Sequence, residues 1–448
     1  VNAHFGVKYM KIKKSDIYYL AIFLALAIIP VMYTIKLYDR GIPADSFEGE
    51  KETIELRFLS SWGGTDTKAQ QLQMLLDEFE EQNPGVKVIN ESMSGSEFLF
   101  KLKTNFAQGS DPDVFGLWPG SDIKILINQG KVADLTELLA SDPEWAAGFG
   151  EDAWSYDRFN GRIYGLPCEI IYEGLFVNRD LFEKYGIKVP ETYEELKDAV
   201  RAFRQRDIIP IAYNSTPEGT FLYQNIVMKL GGREYTENPY KEGRINENYI
   251  EGMKYVKELY ELGAFPEDAF VIADKTRDNL FLEKEAAMIV QGSWFIGLGS
   301  LGAEDETVDI IPFPAFKEGK SHTSSIIYGL GNGNFHMSTK AYENPDKREM
   351  CIKLLKHLTS VEAAKLFSHE TGFISNIKIP VQSVQPGRLM EKGKELIARS
   401  MELVGPTDSF IDRNLWEQVL VTSFPHVLEG RMTPEEVFEE MERRAAQQ

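Results

Sequence analysis

The chain holds 69 Asp and Glu against 49 Lys and Arg, a formal charge of -20. Two carboxylates facing each other across a cleft are what glycoside hydrolysis requires. No spacing singles out an acid and a nucleophile among so many, so that chemistry stays open. The six Trp are few enough to weigh one by one. An indole face matches the C–H face of a pyranose ring, and planar polar side chains match its rim of hydroxyls. Other chemistries fail on context. Gly297-Leu298-Gly299-Ser300-Leu301-Gly302 spells G-x-G-x-x-G, which needs a strand before it and a helix after it. Here Trp294-Phe295-Ile296 reads as a helix start and the acidic stretch 304–306 follows, so a helix-to-strand turn is expected. Gly319-Lys320-Ser321 ends like a phosphate loop, but Pro314 stands where the first Gly is needed to turn backbone N–H groups toward phosphate. Six His and two Cys show no pair at metal-ligand spacing. No metal or cofactor is expected, and Cys168 and Cys351 read as two buried thiols.

The aromatic residues need elements to hold them. Residues 54–60 alternate apolar and polar with period two, as a half-buried strand does, and run into Ser60-Ser61-Trp62-Gly63-Gly64. Leu72, Leu75, Leu76 and Phe79 recur at helical spacing over 70–79. Asn83-Pro84-Gly85 stops that helix, and Val86-Lys87-Val88 starts a strand. In an open α/β sheet, ligands sit beyond the carboxyl ends of strands, which is where Trp62 and Trp118 fall. Trp294 follows the apolar strand 288–290 at a Gly-Ser turn. Trp416 lies on an amphipathic helix with Val419 and Leu420, where a core role competes with a sugar-facing one. Trp62 and Trp118 carry the same alternative of packing a sheet edge, whereas Trp145 and Trp154 read as structural. Strands and helices alternate to about residue 215, predicting a mostly parallel sheet. A helix-rich middle spans 224–301, a strand returns at 308–311, and helices are expected at 351–367 and 434–444.

At 448 residues the chain exceeds one usual core, so two lobes are expected. The negative charge argues against nucleic acid or an anionic membrane surface as partner. Residues 1–50 read as a signal peptide or N-terminal membrane anchor. Lys11, Lys13 and Lys14 precede an apolar run over 17–35, long enough to span a bilayer. That order keeps the lysines on the cytoplasmic side and everything after Lys36 outside. No Cys precedes Cys168, so a lipid anchor is not expected.

Several runs resemble one family. Phe79-Glu80-Glu81-Gln82-Asn83-Pro84-Gly85-Val86-Lys87-Val88 and Gly109-Ser110-Asp111-Pro112-Asp113-Val114 look like the opening of the family 1 extracellular solute-binding proteins that serve carbohydrate ABC importers. Gly161-Arg162-Ile163-Tyr164-Gly165-Leu166-Pro167, Phe176-Val177-Asn178-Arg179-Asp180-Leu181-Phe182, Val189-Pro190-Glu191-Thr192, Gly292-Ser293-Trp294 and Pro312-Phe313-Pro314 follow in order, covering about 53–440. The resemblance implies an α/β, two-lobe periplasmic-binding-protein-like fold of type II, with a ligand cleft between lobes and a hinge of three crossovers. Lobe one would be 53–170 plus 327–378, and lobe two 171–326 plus 379–448. It also implies ligand contacts at Glu169 and Tyr172 after the first crossover, at Phe221 ahead of Gly231-Gly232, and at Trp294 and Trp416. With Trp62 and Trp118 these seven residues are the expected site, Trp294 being the main platform. The implied function is capture of a carbohydrate, an oligosaccharide in the family's own pattern, by a monomer that delivers it to permease transmembrane subunits. The competing readings are an extracellular carbohydrate-active enzyme with paired cleft carboxylates and a sugar-sensing protein that addresses a membrane receptor.

Overall fold

The computed structural model describes residues 53–150, 154–302, 304–379 and 387–447. The apolar run at 17–35 and the whole of the expected signal or anchor segment lie outside them. Among the described residues no helix is long and apolar enough to cross a membrane. Residues 54–448 form one compact unit.

Two sheets organise that unit. In the first, Ile54–Leu59 pairs in parallel with Val86–Asn90 on one side and Val114–Gly116 on the other. Asn334–Met337 then pairs antiparallel with Val114–Gly116 and with Leu166–Pro167. Helix Ala69–Gln82 lays Leu72, Leu75, Leu76 and Phe79 on this sheet. Each such side chain contributes roughly 1.5–3 kcal/mol on burial. Phe58, Phe335, Leu354 and Phe367 complete that core. The second sheet is built around the ten-residue strand Glu169–Asn178. Ala286–Gly292, Val308–Ile311, Ile326–Leu330 and Ile374–Ser375 all pair with it antiparallel. Ile209–Ala212 adds in parallel to Ala286–Gly292, and Leu403–Val404 in parallel to Ile326–Leu330. The expected parallel pairing therefore holds for the first three strands and for the two added strands Ile209–Ala212 and Leu403–Val404, while every strand on Glu169–Asn178 pairs antiparallel. Later segments return to the long central strand from the opposite direction.

The second core gathers Leu175, Leu196, Phe203, Tyr223, Val256, Trp416 and Phe424. Helix Tyr193–Arg204 enters it through a capping box. Thr192 Oγ1 accepts from the Glu195 N–H, and Glu195 Oε2 accepts from the Thr192 N–H, satisfying two helix-end donors at once. The helix expected over 351–367 is two helices, Pro345–Leu358 and Val361–Glu370. Ser360 caps the second through the Ala363 N–H, and a serine that caps competes with continuing the first helix. The helix start expected at Trp294 is one tight 3-10 turn, Ser293–Phe295. Gly297 and Gly299 beyond it take positive φ (92° and 58°), so this glycine run is a turn between two strands. Cys168 and Cys351 are free and buried.

Candidate ligand-binding cleft

A cavity of about 570 Å³ opens between the two sheets, within the range of roughly 300–1,000 Å³ usual for small-ligand sites. Five of the seven expected residues line it: Trp62, Trp118, Glu169, Phe221 and Trp294. Their roles differ because their exposure differs.

Trp294 stands on the turn that ends strand Ala286–Gly292. Its ring lies against Gly292 so closely that a Cβ there would fall 2.1 Å from Cζ3. Phe221, at the start of helix Phe221–Glu237, meets the indole edge-on with centroids 5.3 Å apart. Both rings are half-buried and face the cavity. Trp118 belongs to the opposite side, after strand Val114–Gly116, and is also half-buried. Phe98 packs on it at 5.9 Å and the Arg413 guanidinium lies over it at 5.6 Å.

Trp62 reaches the cavity only with a ring edge. It is 2% exposed, caged by Phe335, Phe367 and Phe373 at 5.5, 4.7 and 5.8 Å. Its faces are taken by core rings, so it packs the sheet end and offers no stacking surface. The adjacent Gly63 lets the Ser92 backbone approach, not a ligand: a Cβ there would lie 2.2 Å from the Ser92 carbonyl carbon.

Tyr172 and Trp416 are corrections. Along strand Glu169–Asn178, successive side chains point to opposite faces. Glu169, Ile171 and Glu173 share the cavity face, which turns Tyr172 to the other face. There it is 0% exposed beneath Gly393 of helix Arg388–Arg399. Trp416 is likewise 0% exposed, tilted against Tyr223 with ring centroids 5.9 Å apart inside the second core.

The polar wall is mostly carboxylate. Glu169 Oε1 lies 3.5 Å from Lys68 Nζ, Asp66 lies 3.7 Å from the same ammonium, and Glu169 Oε2 accepts from the Gly333 N–H at 2.9 Å. Burial raises the Glu169 pKa and Lys68 opposes it; the two carboxylates keep Lys68 charged against its own burial. Asp157 accepts from Asn334 Nδ2 at 2.7 Å, and burial pushes its pKa up to about 7. Beside it His336 sits between the Tyr164 and Leu117 carbonyls at 2.7 and 3.0 Å. Glu218 and Asp274 come forward on either side of the buried Arg277, at 3.0 and 3.1 Å.

Arg413 joins the two sides. Its Nε donates to Asp122 Oδ2 at 3.2 Å and its backbone N–H to Ser121 Oγ at 3.1 Å. Its Nη1 reaches Asp408 at 3.4 Å.

Sequence reasoning missed Glu173, Lys68, Asp157, Arg413 and Asp408. Glu173 had a legible signal, an acid at a face-matched position two residues after Glu169 in an apolar strand. Arg413 and Asp122 had none, since 291 positions separate them in sequence.

A two-sided cleft with aromatic faces on both walls, joined by long crossing strands, defines a class of two-lobe ligand-capturing proteins. The chain belongs to the bacterial extracellular solute-binding protein family, whose model matches residues 63–365. It is similar to the multiple sugar-binding protein of Streptococcus mutans, with 23% identity over 67% of this chain and 70% of that protein. Among solved structures it resembles one from a study of xylan utilization by Caldanaerobius polysaccharolyticus (TM-score 0.76, 22% identity, covering 87% of this chain and 100% of that one). It also resembles the maltose/maltodextrin-binding domain of Bdellovibrio bacteriovorus bound to maltotriose (TM-score 0.69, 19% identity, 88% and 99% covered). These likenesses give the α/β two-lobe periplasmic-binding fold.

Proposed function

We propose that this protein captures a carbohydrate, an oligosaccharide in particular, outside the cytoplasmic membrane and delivers it unchanged to the transmembrane subunits of an ABC importer. The observation that carries the reading is the pairing of Trp294 and Phe221 on one wall with Trp118 on the other, across a cavity rimmed with carboxylates and amides. Flat apolar rings suit sugar faces, and acceptors suit hydroxyl donors. The S. mutans relative is named for sugar binding, and maltodextrin- and fructooligosaccharide-binding proteins are also similar to the chain, which supports this ligand class. In this proposal the lobes are 53–170 plus 327–378 and 171–326 plus 379–448, the molecule works as a monomer, and the segment 1–50 exports or anchors it.

A glycan panel tests the reading by thermal shift. A ligand at 100 times its dissociation constant adds about 2.7 kcal/mol to stability, so the true ligand should raise the melting temperature by several degrees. The sugar recovered from the complex should be intact. Turnover of the bound oligosaccharide would favour the enzyme reading, and a panel without a single shift would remove carbohydrate as the ligand class.

A further inference from the structure

The cations buried at or behind the cleft wall are oversubscribed. Lys68 serves Asp66 and Glu169. Arg277, 2% exposed, serves Glu218, Asp274 and Asp278 at 3.0, 3.1 and 2.7 Å. Arg413 serves Asp122, Asp408 and Glu417 at 3.2, 3.4 and 3.7 Å. Lys124 and Arg158 also line the cavity but are exposed, where a single ion pair contributes little. Each of these three buried cations therefore already faces at least two carboxylates.

Glu173 is the opposite case. It is 2% exposed and lines the cavity. Its Oε2 accepts from Asn225 Nδ2 at 2.7 Å, while Oε1 has no hydrogen-bond partner among the described residues. Glu173 pairs across the sheet with Gly292, and side chains of paired residues project from the same face. Gly292 carries the ring of Trp294 on that face. A carboxyl oxygen without a partner therefore stands beside an open indole, and Asp408 adds negative potential to it.

We propose that Glu173 and the face of Trp294 form a subsite for a positively charged amine, so that the captured carbohydrate carries a free amino group and uronate or phosphate-bearing sugars are rejected. This rests on the carbohydrate-binding reading of the cleft. An ammonium donates to Oε1 and is attracted by the ring's negative face. Burial and Asp408 raise the Glu173 pKa, which marks a carboxyl that lacks a counter-charge. The arriving cation supplies that counter-charge, any proton on the carboxyl passes to solvent, and an ion pair remains. A ligand carboxylate or phosphate would face Glu173 and Asp408, with only the exposed Lys124 and Arg158 to offset them.

The test is calorimetric titration of the full chain with matched sugars: β-1,4-linked tetramers of glucosamine, N-acetylglucosamine and glucose, and α-1,4-linked tetramers of galactosamine, galactose and galacturonate. The amine should bind about tenfold or more tighter than its hydroxyl counterpart, and galacturonate should not bind. In Glu173→Gln, which keeps an acceptor for Asn225, the amine should lose its advantage over its hydroxyl counterpart. Hydroxyl or acetylated counterparts binding wild type as tightly as the amine would overturn the amine subsite and leave the carbohydrate reading standing. Wild type binding none of the tetramers would count against both.

Discussion

Single side chains divide the cleft into rings that face the cavity and rings that are packed behind it. Trp294 is half-buried and open on one face, so it should carry much of the binding energy. Trp294→Ala should weaken sugar binding by roughly 2 kcal/mol, as truncation of a central aromatic anchor does, with the melting temperature nearly unchanged. Trp416→Phe should do the reverse, lowering stability without touching affinity, because Trp416 is fully buried in the second core. Isothermal titration and thermal melts of the two variants check the contrast. Asp157 gives a pH signature. Its folded pKa, about 7, lies above the ordinary 3.8 because burial disfavours the charge. A raised carboxyl pKa means the folded state holds the proton more tightly than the unfolded state. Its stabilising effect is complete below pH 4 and is lost as pH rises to 7, by up to roughly 4 kcal/mol. Asp157→Asn should therefore flatten the decline in stability between pH 4 and 7. Denaturant unfolding across that range checks it, and an unchanged pH slope would contradict the assignment.

At the scale of elements, the loops that follow strands are positioned by close backbone approach. The turn after Ile54–Leu59 carries Gly63 directly against the Ser92 backbone. Gly63→Ala should force those two loops apart, costing about 1–3 kcal/mol. It should also loosen Trp62 and the Lys68–Glu169 pair beside the cleft. A circular-dichroism melt superimposable on wild type would show that the loops tolerate a Cβ. The strand Glu169–Asn178 shows how far the sequence could be read. Alternation along an apolar strand puts Glu169, Ile171 and Glu173 on one face and Tyr172 on the other. The resemblance implied contacts at both Glu169 and Tyr172; in the structure the strand's period keeps Glu169 in the cavity, adds Glu173 and turns Tyr172 away.

For the whole molecule, Arg413 bonds across the two sides of the cleft. It donates to Asp122 and Ser121 on one side from its seat beside Asp408 on the other. Removing one partner of a buried ion pair leaves the others uncompensated. Arg413→Ala should shift the ligand-free protein toward an open form, read as a larger radius of gyration in small-angle scattering. The binding-competent fraction would fall and sugar affinity with it, by about tenfold. Saturating ligand should restore the compact profile. Scattering identical to wild type without ligand would remove Arg413 as a closing contact.

Sequence by itself determined the family-like order of motifs, the helix over 70–79, the strand ends that carry Trp62 and Trp118, and the Gly-Ser turn that carries Trp294. These are local properties: hydrophobic period, capping residues and glycine turns act over a few positions. The tertiary structure alone decided which aromatics remain open. Trp62, Trp118, Trp294 and Trp416 are the same residue type, and only the rings packed around each one leave a face free or cover it. It also decided which charges are spent. Lys68, Arg277 and Arg413 find their carboxylates across as many as 291 positions of chain, and Glu173 is left without a cation because the fold brings none to it.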